Sequence, residues 1–320
     1  PIMPPPPRDP NSEQPRDRVS GRNHPVSELR YRLIDFGDGR KLESFGGYLV
    51  DRPSPAAEHA RPRERSVWNS ADATFLQSSK RWDVRNPWPD DLSVDCGGFV
   101  MPIAPTPFGH VGLFPEQAAN WHWLHETAPD AATHAIEPPL ALNLFAYTGA
   151  GTMAMAIAGM KVAHVDAAKP NVTAARAAAD LNGLGDHPIR YLVDDAAKFA
   201  GRELRRGNRY HTIVMDPPAY GHSPSGKAWR LERDLWPLLD TCLELLSPEN
   251  CRLLVTGHSP QVGPQDVVNY LLDGLPDSFG LSRDQARERI RLGRLSLCDA
   301  ADRKLDAGFF VRFARNGPSQ

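Results

Sequence analysis

The sequence predicts an α/β protein in which a doubly wound, mainly parallel sheet follows a smaller β-rich module. Beyond about residue 138, short apolar segments alternate with helix-like segments at the spacing of successive βαβ units. Residues 1–25 are rich in proline and charge, whereas residues 26–105 contain turn signals, aromatic side chains and strand-like runs. We therefore divide the chain into a proline-rich tail (1–25), a β-rich module (26–105) and an α/β domain (106–320).

Composition and charge restrict the class of protein. The 320 residues carry a net charge of −2, so the chain is not a general binder of polyanions. Its four cysteines are scattered without a C-x-x-C pair, which argues against a zinc site or a disulfide framework. The sequence has no apolar run near the roughly 18 residues of a membrane span, and no apolar core of a signal peptide. We expect a cytoplasmic protein without a metal.

The β-rich module begins with a hairpin pattern. The segment 31–50 predicts two strands around a turn at Asp38 and Gly39, and the segment 97–103 predicts a further strand. Alternatively, these strands are an extension packed on the main domain, with no function of their own.

Strands and helices alternate through the α/β domain. The predicted strands cover 140–145, 161–165, 189–193, 210–215 and 251–256. The predicted helices cover 152–159, 171–181 and 231–246. Right-handed crossovers place the carboxyl ends of parallel strands along one edge of the sheet, where ligands bind near the topological switch point.

The ends of the first three strands predict a nucleotide-like cofactor site. Gly149 and Gly151 follow the first strand and allow a sharp turn close to a ligand. Asp166 ends the second strand, where its carboxylate can accept hydrogen bonds from ribose hydroxyls; the alternative is a helix N-cap. After the third strand, Asp195 can accept from an adenine amino group, with Asp194 as the second candidate. Solvated loop charges are the alternative for this pair.

A dinucleotide-binding protein shares part of this pattern. Residues 149–154 match G-x-G-x-x-A, and Asp166 follows at nearly the dinucleotide-binding distance. The end of the fourth strand argues against a nicotinamide enzyme, because hydride transfer does not need the sequence Asp216-Pro-Pro found there.

The segment 214–220 instead indicates methyl transfer to a planar nitrogen. Pro217 and Pro218 fix a rigid, extended turn. Asp216 and a backbone carbonyl can accept hydrogen bonds from the edge of a base, and Tyr220 can stack on it. The alternative is a strand-ending proline turn with a packed tyrosine.

Together, the segments 143–149 and 216–220 with Asp166, Asp194 and Asp195 resemble the bacterial 23S ribosomal RNA methyltransferases that carry an N-terminal β-rich module. The segment 112–117 is similar to the family's segment before the core, which helps to wall in the cofactor. The resemblance extends over about 109–315, and more weakly over 30–105. It implies a seven-stranded class I methyltransferase (Rossmann-like) sheet of order 3-2-1-4-5-7-6, with 306–313 as the antiparallel last strand.

The resemblance implies S-adenosyl-L-methionine as the cofactor and RNA, expected to be ribosomal, as the partner. The cofactor-binding residues that we expect are Gln117, Asn143, Phe145, Ala146, Tyr147, Thr148, Gly149, Gly151, Asp166, Ala167, Asp194, Asp195, Ala196 and Asp216. The catalytic residues that we expect are Asp216, Pro217, Pro218 and Tyr220.

One departure from the family pattern bears on the target atom. The cytosine-5 branch of the family carries a cysteine after the fifth strand, because its thiolate must add to the base before methyl transfer. This chain has Thr256-Gly-His-Ser259 there. We therefore expect direct SN2 transfer to a base nitrogen, which needs no covalent intermediate and depends on orientation.

Residues after the fourth and fifth strands are candidates for binding the substrate. The candidates are Tyr220, Lys227, Trp229, Arg230 and His258. For His258 the alternative is a structural loop histidine, and for Trp229 it is an anchor at the start of a helix. We expect the arginines at 202–209 and 283–294 to lie on solvated helix faces.

Two other functions stay open at this point, and so does the oligomeric state. The same core can methylate a protein or a small molecule, and near-neutral charge favours that alternative. A non-catalytic RNA-binding factor can also retain the fold.

Overall fold

The structure, a computed structural model, describes residues 30–129, 137–222 and 228–315. The predicted tail over 1–25 and the candidate residue Lys227 lie outside these ranges. Within them the chain forms a five-stranded sheet, a seven-stranded sheet and two sheets of two strands each. No helix of these segments is long and apolar enough to cross a bilayer.

The N-terminal sheet has the strand order β1-β2-β3-β4-β5. Its strands are β1 (Tyr31–Gly37), β2 (Arg40–Phe45), β3 (Tyr48–Pro53), β4 (Ala73–Leu76) and β5 (Arg81–Val84). Asp38 and Gly39 have φ angles of 51° and 72°, the left-handed conformation of a tight hairpin turn. The predicted hairpin is therefore confirmed, although the segment predicted to hold two strands also contains the start of a third.

Four short elements lie outside the two large sheets. They are α1 (Arg65–Trp68), β6 (Ser93–Asp95), β7 (Val100–Pro102) and α2 (Ala118–Glu126). In the chain, α1 lies between β3 and β4, and the other three lie between the sheets. The strand predicted within 97–103 is confirmed as β7, which pairs with β6 and lies outside the five-stranded sheet.

The main sheet confirms the predicted fold class and strand order. The remaining strands are β8 (Leu140–Leu144), β9 (Lys161–Asp166), β10 (Ile189–Val193), β11 (Thr212–Met215), β12 (Tyr220–His222), β13 (Ala228–Arg230), β14 (Cys251–Gly257), β15 (Ile290–Cys298) and β16 (Lys304–Arg315). β12 and β13 pair with each other. The other seven have the spatial order β10-β9-β8-β11-β14-β16-β15, which is 3-2-1-4-5-7-6, and β16 is antiparallel to both neighbours.

The helices of the main domain follow the predicted alternation. They are α3 (Ala150–Ile157), α4 (Lys169–Leu181), α5 (Ala196–Arg205), α6 (Leu231–Leu245), α7 (Pro264–Phe279) and α8 (Arg283–Glu288). α4 begins two residues before its predicted start because Pro170 fits the first helical turn, where its missing N–H costs nothing. All seven residues of β14 are buried, as in a parallel strand covered on both faces.

The prediction that residues 283–294 lie on helices is wrong for their second half. α8 ends at Glu288, and β15 begins at Ile290 as the sixth strand of the main sheet. Arg291 and Arg294 therefore lie on a strand. Apolar residues recur in β15 at a spacing of two, but the arginines of its outward positions obscure that pattern.

The N-terminal sheet packs against the hairpin formed by β15 and β16. Leu33 and Phe36 of β1 share an apolar cluster with Leu297 and Leu305. The guanidinium of Arg303 adds ion pairs to Asp35 of β1 and to Asp299. This junction lies beside the carboxyl edge of the main sheet and forms one side of the site described next.

Candidate active site

The loop from β8 to α3 has an unusual backbone. Phe145 and Tyr147 have φ angles of 57° and 50°, and Gly149 follows with 94°. Side chains with a Cβ rarely adopt this left-handed conformation, and such strain concentrates at ligand sites. Gly149 also has little room for a side chain, since an added Cβ would lie 3.0 Å from that of Ala175. The predicted glycine turn thus packs closely against helix α4.

The carboxylate of Asp166 is held in place at the end of β9. Its Oδ2 accepts a hydrogen bond from the Tyr147 backbone N–H at 2.8 Å, and Oδ1 accepts from Ala168 N at 2.9 Å and Asn171 Nδ2 at 3.0 Å. The N-cap position of α4 is Ala168, so Asp166 is not the helix cap considered above. The carboxylate borders a cavity where it can meet the hydroxyls of a ribose.

Asp194 and Asp195 both have partners within the protein. Asp195 is the N-cap of α5, where its Oδ1 accepts from Lys198 N at 2.9 Å. Asp194 accepts from Asp195 N at 2.8 Å and forms an ion pair with Arg202. Both aspartates line a cavity of about 80 Å³, so they are not merely solvated loop charges. The other residues lining it are Phe145, Val165, Asp166, Ala167, Ala196, Ala197, Pro218, Gly221 and Trp229.

The side chain of Asn143 points into the core beside α3. Its Nδ2 donates to Thr152 Oγ1 at 3.0 Å, and the Thr152 hydroxyl lies 2.9 Å from Nδ1 of His164. Burial lowers the pKa of His164 to about 4, so this imidazole is neutral near pH 7. An added Cβ on Gly151 would lie 3.3 Å from Asn143 Nδ2, which explains the second glycine by close packing.

The segment before α2 is bonded to the same loop. Thr148 Oγ1 donates to the Gly112 carbonyl at 2.6 Å, and the ring of Phe114 lies 5.2 Å from that of Tyr147. Gln117 accepts from Asn120 Nδ2 at 2.6 Å and places its own Nε2 3.4 Å from Asp216 Oδ2. This segment therefore forms a wall between the glycine turn and the end of β11.

Asp216 lies at the centre of the site, directly after β11. Thr256 Oγ1 donates to its Oδ1 at 2.6 Å. The carboxylate keeps solvent contact on its open side, but protein crowds it elsewhere, and this dehydration raises its pKa. The negative charge of Glu116 adds to the rise, whereas the Thr256 hydrogen bond and nearby His258 oppose it. Protonation of Asp216 thus occurs at higher pH than for a free aspartate.

The diproline turn is braced by Trp229. Its indole Nε1 donates to the Pro218 carbonyl at 2.8 Å, and its ring lies 5.0 Å from that of Phe145. The structure thus places Trp229 beside the small cavity of Asp194 and Asp195, as an anchor just before α6.

The other candidate substrate residues lie nearby. Tyr220 is 56% exposed and pairs with Arg230 in the β12–β13 ladder. Arg230 occupies the N-cap position of α6, and its backbone N–H donates to Asp234 Oδ2 at 2.8 Å. His258 lines the main cleft described below.

The largest cavity of the site, which we call the cleft, has a volume of about 490 Å³. Three groups of residues, with four further residues, line it. From the predicted cofactor and catalytic segments come Gln117, Phe145, Tyr147, Asp166, Ala167, Asp216, Pro217, Pro218 and His258. From the N-terminal sheet and its connections come Lys41, Ser54, Pro55, Ala56, His110, Phe114 and Glu116, and from the β15–β16 hairpin come Leu295, Leu297, Leu305, Asp306 and Ala307. Ala168, Asn171, Ala219 and Gly257 complete the lining.

Most residues of the second and third groups were missed by the sequence analysis. Lys41 and Leu297 lie in strands with no functional motif, and only tertiary packing brings them to Asp216. The signal that predicted the other residues was local, since all of them except Gln117 lie at or closely after the end of a strand of the main sheet.

Two small cavities extend the cleft into a continuous groove. The one beside Asp194 shares Phe145, Asp166 and Pro218 with the cleft, and another of about 70 Å³ shares Phe145, Tyr147 and Asp216. The latter is also lined by Asn143, Ala146, Thr148, Gly149 and Gly151. The groove thus follows the carboxyl ends of β8, β9, β10, β11 and β14.

The groove fits an adenosyl cofactor by its donor and acceptor groups. A carboxylate stands at the end of β9, two more at the end of β10, and a left-handed backbone loop lies between β8 and α3. Oε2 of Glu116 is buried without a hydrogen-bond partner in the described structure. Because an orphaned buried polar atom is costly, it indicates a polar ligand at this place. The described segments contain no group of three or more His, Cys, Asp or Glu able to hold a metal ion.

A family model described as S-adenosylmethionine-dependent methyltransferase matches residues 109–279, more than half of the chain. The chain belongs to this methyltransferase family. S-adenosylmethionine is accordingly its cofactor, and the nicotinamide alternative is rejected. The matched residues include the glycine turn, Asp166, the aspartates after β10 and the diproline turn.

Individual relatives agree with the family. A SAM-dependent methyltransferase from Agrobacterium tumefaciens has a TM-score of 0.76 and 34% identity, covering 89% of this chain and 90% of that one. A putative SAM-dependent methyltransferase from Streptococcus mutans shares the fold at a TM-score of 0.64 and 17% identity, covering 89% and 76% of the two chains. Ribosomal RNA large subunit methyltransferase I of Shigella flexneri is 30% identical over 214 residues, which are 61% of this chain. This chain spans 52% of that relative's length.

Proposed function

We propose that this methyltransferase transfers a methyl group from S-adenosylmethionine to a base nitrogen of RNA, directly and without a covalent protein intermediate. The observation that carries the proposal is a cleft that joins the cofactor groove at Asp216-Pro-Pro and has no cysteine among its described lining residues.

The surroundings of the four cysteines support direct transfer. Cys242 and Cys251 are buried, and burial raises the pKa of both thiols, that of Cys251 to about 12. Burial also raises the pKa of the half-buried Cys96 to about 12. Cys298 is exposed on β15, outside the residues that line the cleft. A thiol must ionise to attack a base, and none of the three buried or half-buried thiols does so near pH 7.

The chain's own residues would orient the acceptor. When bound, S-adenosylmethionine supplies a methyl group on a sulfonium, which is electrophilic without further activation. Pro217 and Pro218 would hold the base against a rigid turn, and Asp216 would accept a hydrogen bond from an N–H of its edge. Tyr220, half exposed beside this turn, would stack on the base. Holding two reactants in line accounts for a large part of the rate of such a transfer.

Ribosomal RNA is the acceptor that we propose, on the basis of relatives named for it. Those relatives cover only part of the chain, and the family model that matches residues 109–279 includes the diproline turn. An enzyme acting on ribosomal RNA in this way would work in the cytoplasm.

Transfer of tritiated methyl groups to unmodified 23S ribosomal RNA tests the proposal. We expect label in the RNA and, after digestion to nucleosides, an N-methylated nucleoside by mass spectrometry. The Cys298→Ser variant should retain full activity, because no thiol takes part. A 5-methylcytosine product would contradict direct transfer, and label only in protein or in a small molecule would reject RNA as the acceptor.

A further inference from the structure

The N-terminal sheet contributes a charged side chain to the cleft whose role the proposed function does not explain. We propose that Lys41 of β2 binds a phosphate of the acceptor RNA, so that this sheet forms part of the RNA site. The inference rests on the proposed function and adds to it a binding residue outside the methyltransferase fold itself.

The charges around the cleft single out Lys41. Among its lining residues in the described segments, Lys41 is the one Lys or Arg, whereas carboxylates stand at Glu116, Asp166, Asp216 and Asp306. Phosphate groups are repelled by such a lining except near a compensating cation. An RNA strand whose base reaches Asp216 therefore needs Lys41 for any phosphate that enters with it.

A buried ionic cluster fixes the position of Lys41. Its Nζ lies 3.0 Å from Oε1 of Glu43, a carboxylate with no solvent exposure. Two guanidinium nitrogens of Arg52 also donate to Glu43, and the Tyr31 hydroxyl donates to it at 3.0 Å. Burial alone would raise the pKa of Glu43, but Arg52 and Lys41 outweigh that effect and hold it at about 2. The Glu43 carboxylate is thus ionised at neutral pH.

The cluster brings two cations to one fully buried carboxylate. Arg52 pairs with Glu43 in two-pronged contact and also feels the charge of Glu116, whereas Lys41 is the cation of the cluster that borders the cleft. An ammonium group has three N–H donors, and the contact with Glu43 engages only one of them. The Ser54 hydroxyl, after β3, lines the same cleft and can donate a second hydrogen bond to a phosphate oxygen.

Steady-state methylation of unmodified 23S ribosomal RNA at several salt concentrations tests the assignment. Lys41→Gln removes the charge but keeps a donor for Glu43, so the fold is preserved. We expect the KM for RNA to rise by about tenfold to a hundredfold, as for loss of a charge-assisted hydrogen bond. The slope of log KM against log salt should become shallower by about one, because one phosphate contact is lost. A merely structural role would not change that slope.

Two controls keep the outcomes distinct. Arg32→Gln removes an exposed cation from β1 of the same sheet, outside the cleft, and should leave the KM within about twofold. Affinity for S-adenosylhomocysteine, measured by calorimetry, should be unchanged in Lys41→Gln. A wild-type KM and salt slope in this variant, or a loss of S-adenosylhomocysteine binding, would overturn the role of Lys41 and leave the proposed function standing. Failure of the wild-type protein to methylate any RNA would instead reject the proposed function itself.

Discussion

At the scale of single residues, Asp216 combines a raised pKa with a fixed position. Thr256 and Gln117 hold its carboxylate at the meeting point of the cofactor groove and the cleft. Because the folded protein raises its pKa above 3.8, the charged form is less favourable in the folded than in the unfolded state. At neutral pH the charged carboxylate therefore lowers the stability of the fold, at the position where we propose that the acceptor binds.

Replacement of this aspartate separates activity from stability. In Asp216→Asn the amide oxygen can still accept from Thr256, so we expect the fold to persist and the melting temperature at pH 7 to equal or exceed that of the wild type. The gain should disappear in acid, where the wild-type carboxyl is protonated as well. Transfer should fall by about a hundredfold, as expected when the acceptor is misplaced.

Thermal unfolding and single-turnover transfer, measured on the same preparation, check this expectation. Asp277→Asn, at an exposed carboxylate of α7, is the control for a lost charge and should change neither quantity. Undiminished transfer by Asp216→Asn would show that the residue does not orient the acceptor.

At the scale of elements, the sequence predicted what was local and missed what was not. The turn at Gly149 and the corner at Asp216 were recognisable because their residues are adjacent in the chain and follow apolar strands. The position of Trp229 was left open, since it depends on the carbonyl of Pro218, 11 residues earlier. The first half of β15 was predicted as part of a helix. A strand with one exposed face also carries charged side chains, so its arginines alone do not distinguish it from a solvated helix face.

We expect two separable roles for Asp195 at the start of α5. As N-cap it stabilises the helix, and we also expect it to bind the adenine end of the cofactor. Asp195→Ser retains an N-cap but shortens the side chain, so stability should be kept while affinity for S-adenosylhomocysteine falls by about tenfold. Asp195→Ala should lose the same affinity and, in addition, about 1 kcal/mol of stability.

Urea unfolding and calorimetry on both variants measure these effects. If the two variants bind S-adenosylhomocysteine as tightly as the wild type, Asp195 is a helix cap and nothing more.

At the scale of the whole molecule, the cleft depends on how the N-terminal sheet docks on the main domain. Arg303 connects the two through Asp35 and Asp299, which are both nearly inaccessible to solvent. Burial alone would raise the pKa of both carboxyls, but hydrogen bonds outweigh this effect and lower each pKa. The donors to Asp35 include Trp68, Arg63 and Arg303. No sequence motif predicted this junction, because Arg303 and Asp35 are more than 200 residues apart in the chain.

Removal of the Arg303 guanidinium should loosen the docked sheet. In Arg303→Met two buried carboxylates lose their cation, and we expect a loss of about 3 kcal/mol in the free energy of unfolding at pH 7. The carboxyls have lowered pKa values in the fold, so their contribution is present above about pH 4 and is lost as the pH falls through those values. The difference between variant and wild type should therefore shrink below pH 4.

Urea unfolding across this pH range tests the prediction. Arg294→Met breaks an exposed ion pair of the same hairpin and should cost at most about 1 kcal/mol at any pH. A deficit for Arg303→Met that stays constant into acid would mean that lost packing, not charge, is responsible.

The hairpin that borders the cleft also ends the main sheet. β15 is its last strand, and Arg291, Leu292 and Arg294 occupy exposed or half-exposed positions along it. An outermost strand has unpaired backbone N–H and C=O groups, to which a strand of another chain can add. Repeated cationic side chains disfavour such an addition, because the two copies repel each other. The arginines that concealed this strand in the sequence thus protect the enzyme from edge-to-edge aggregation.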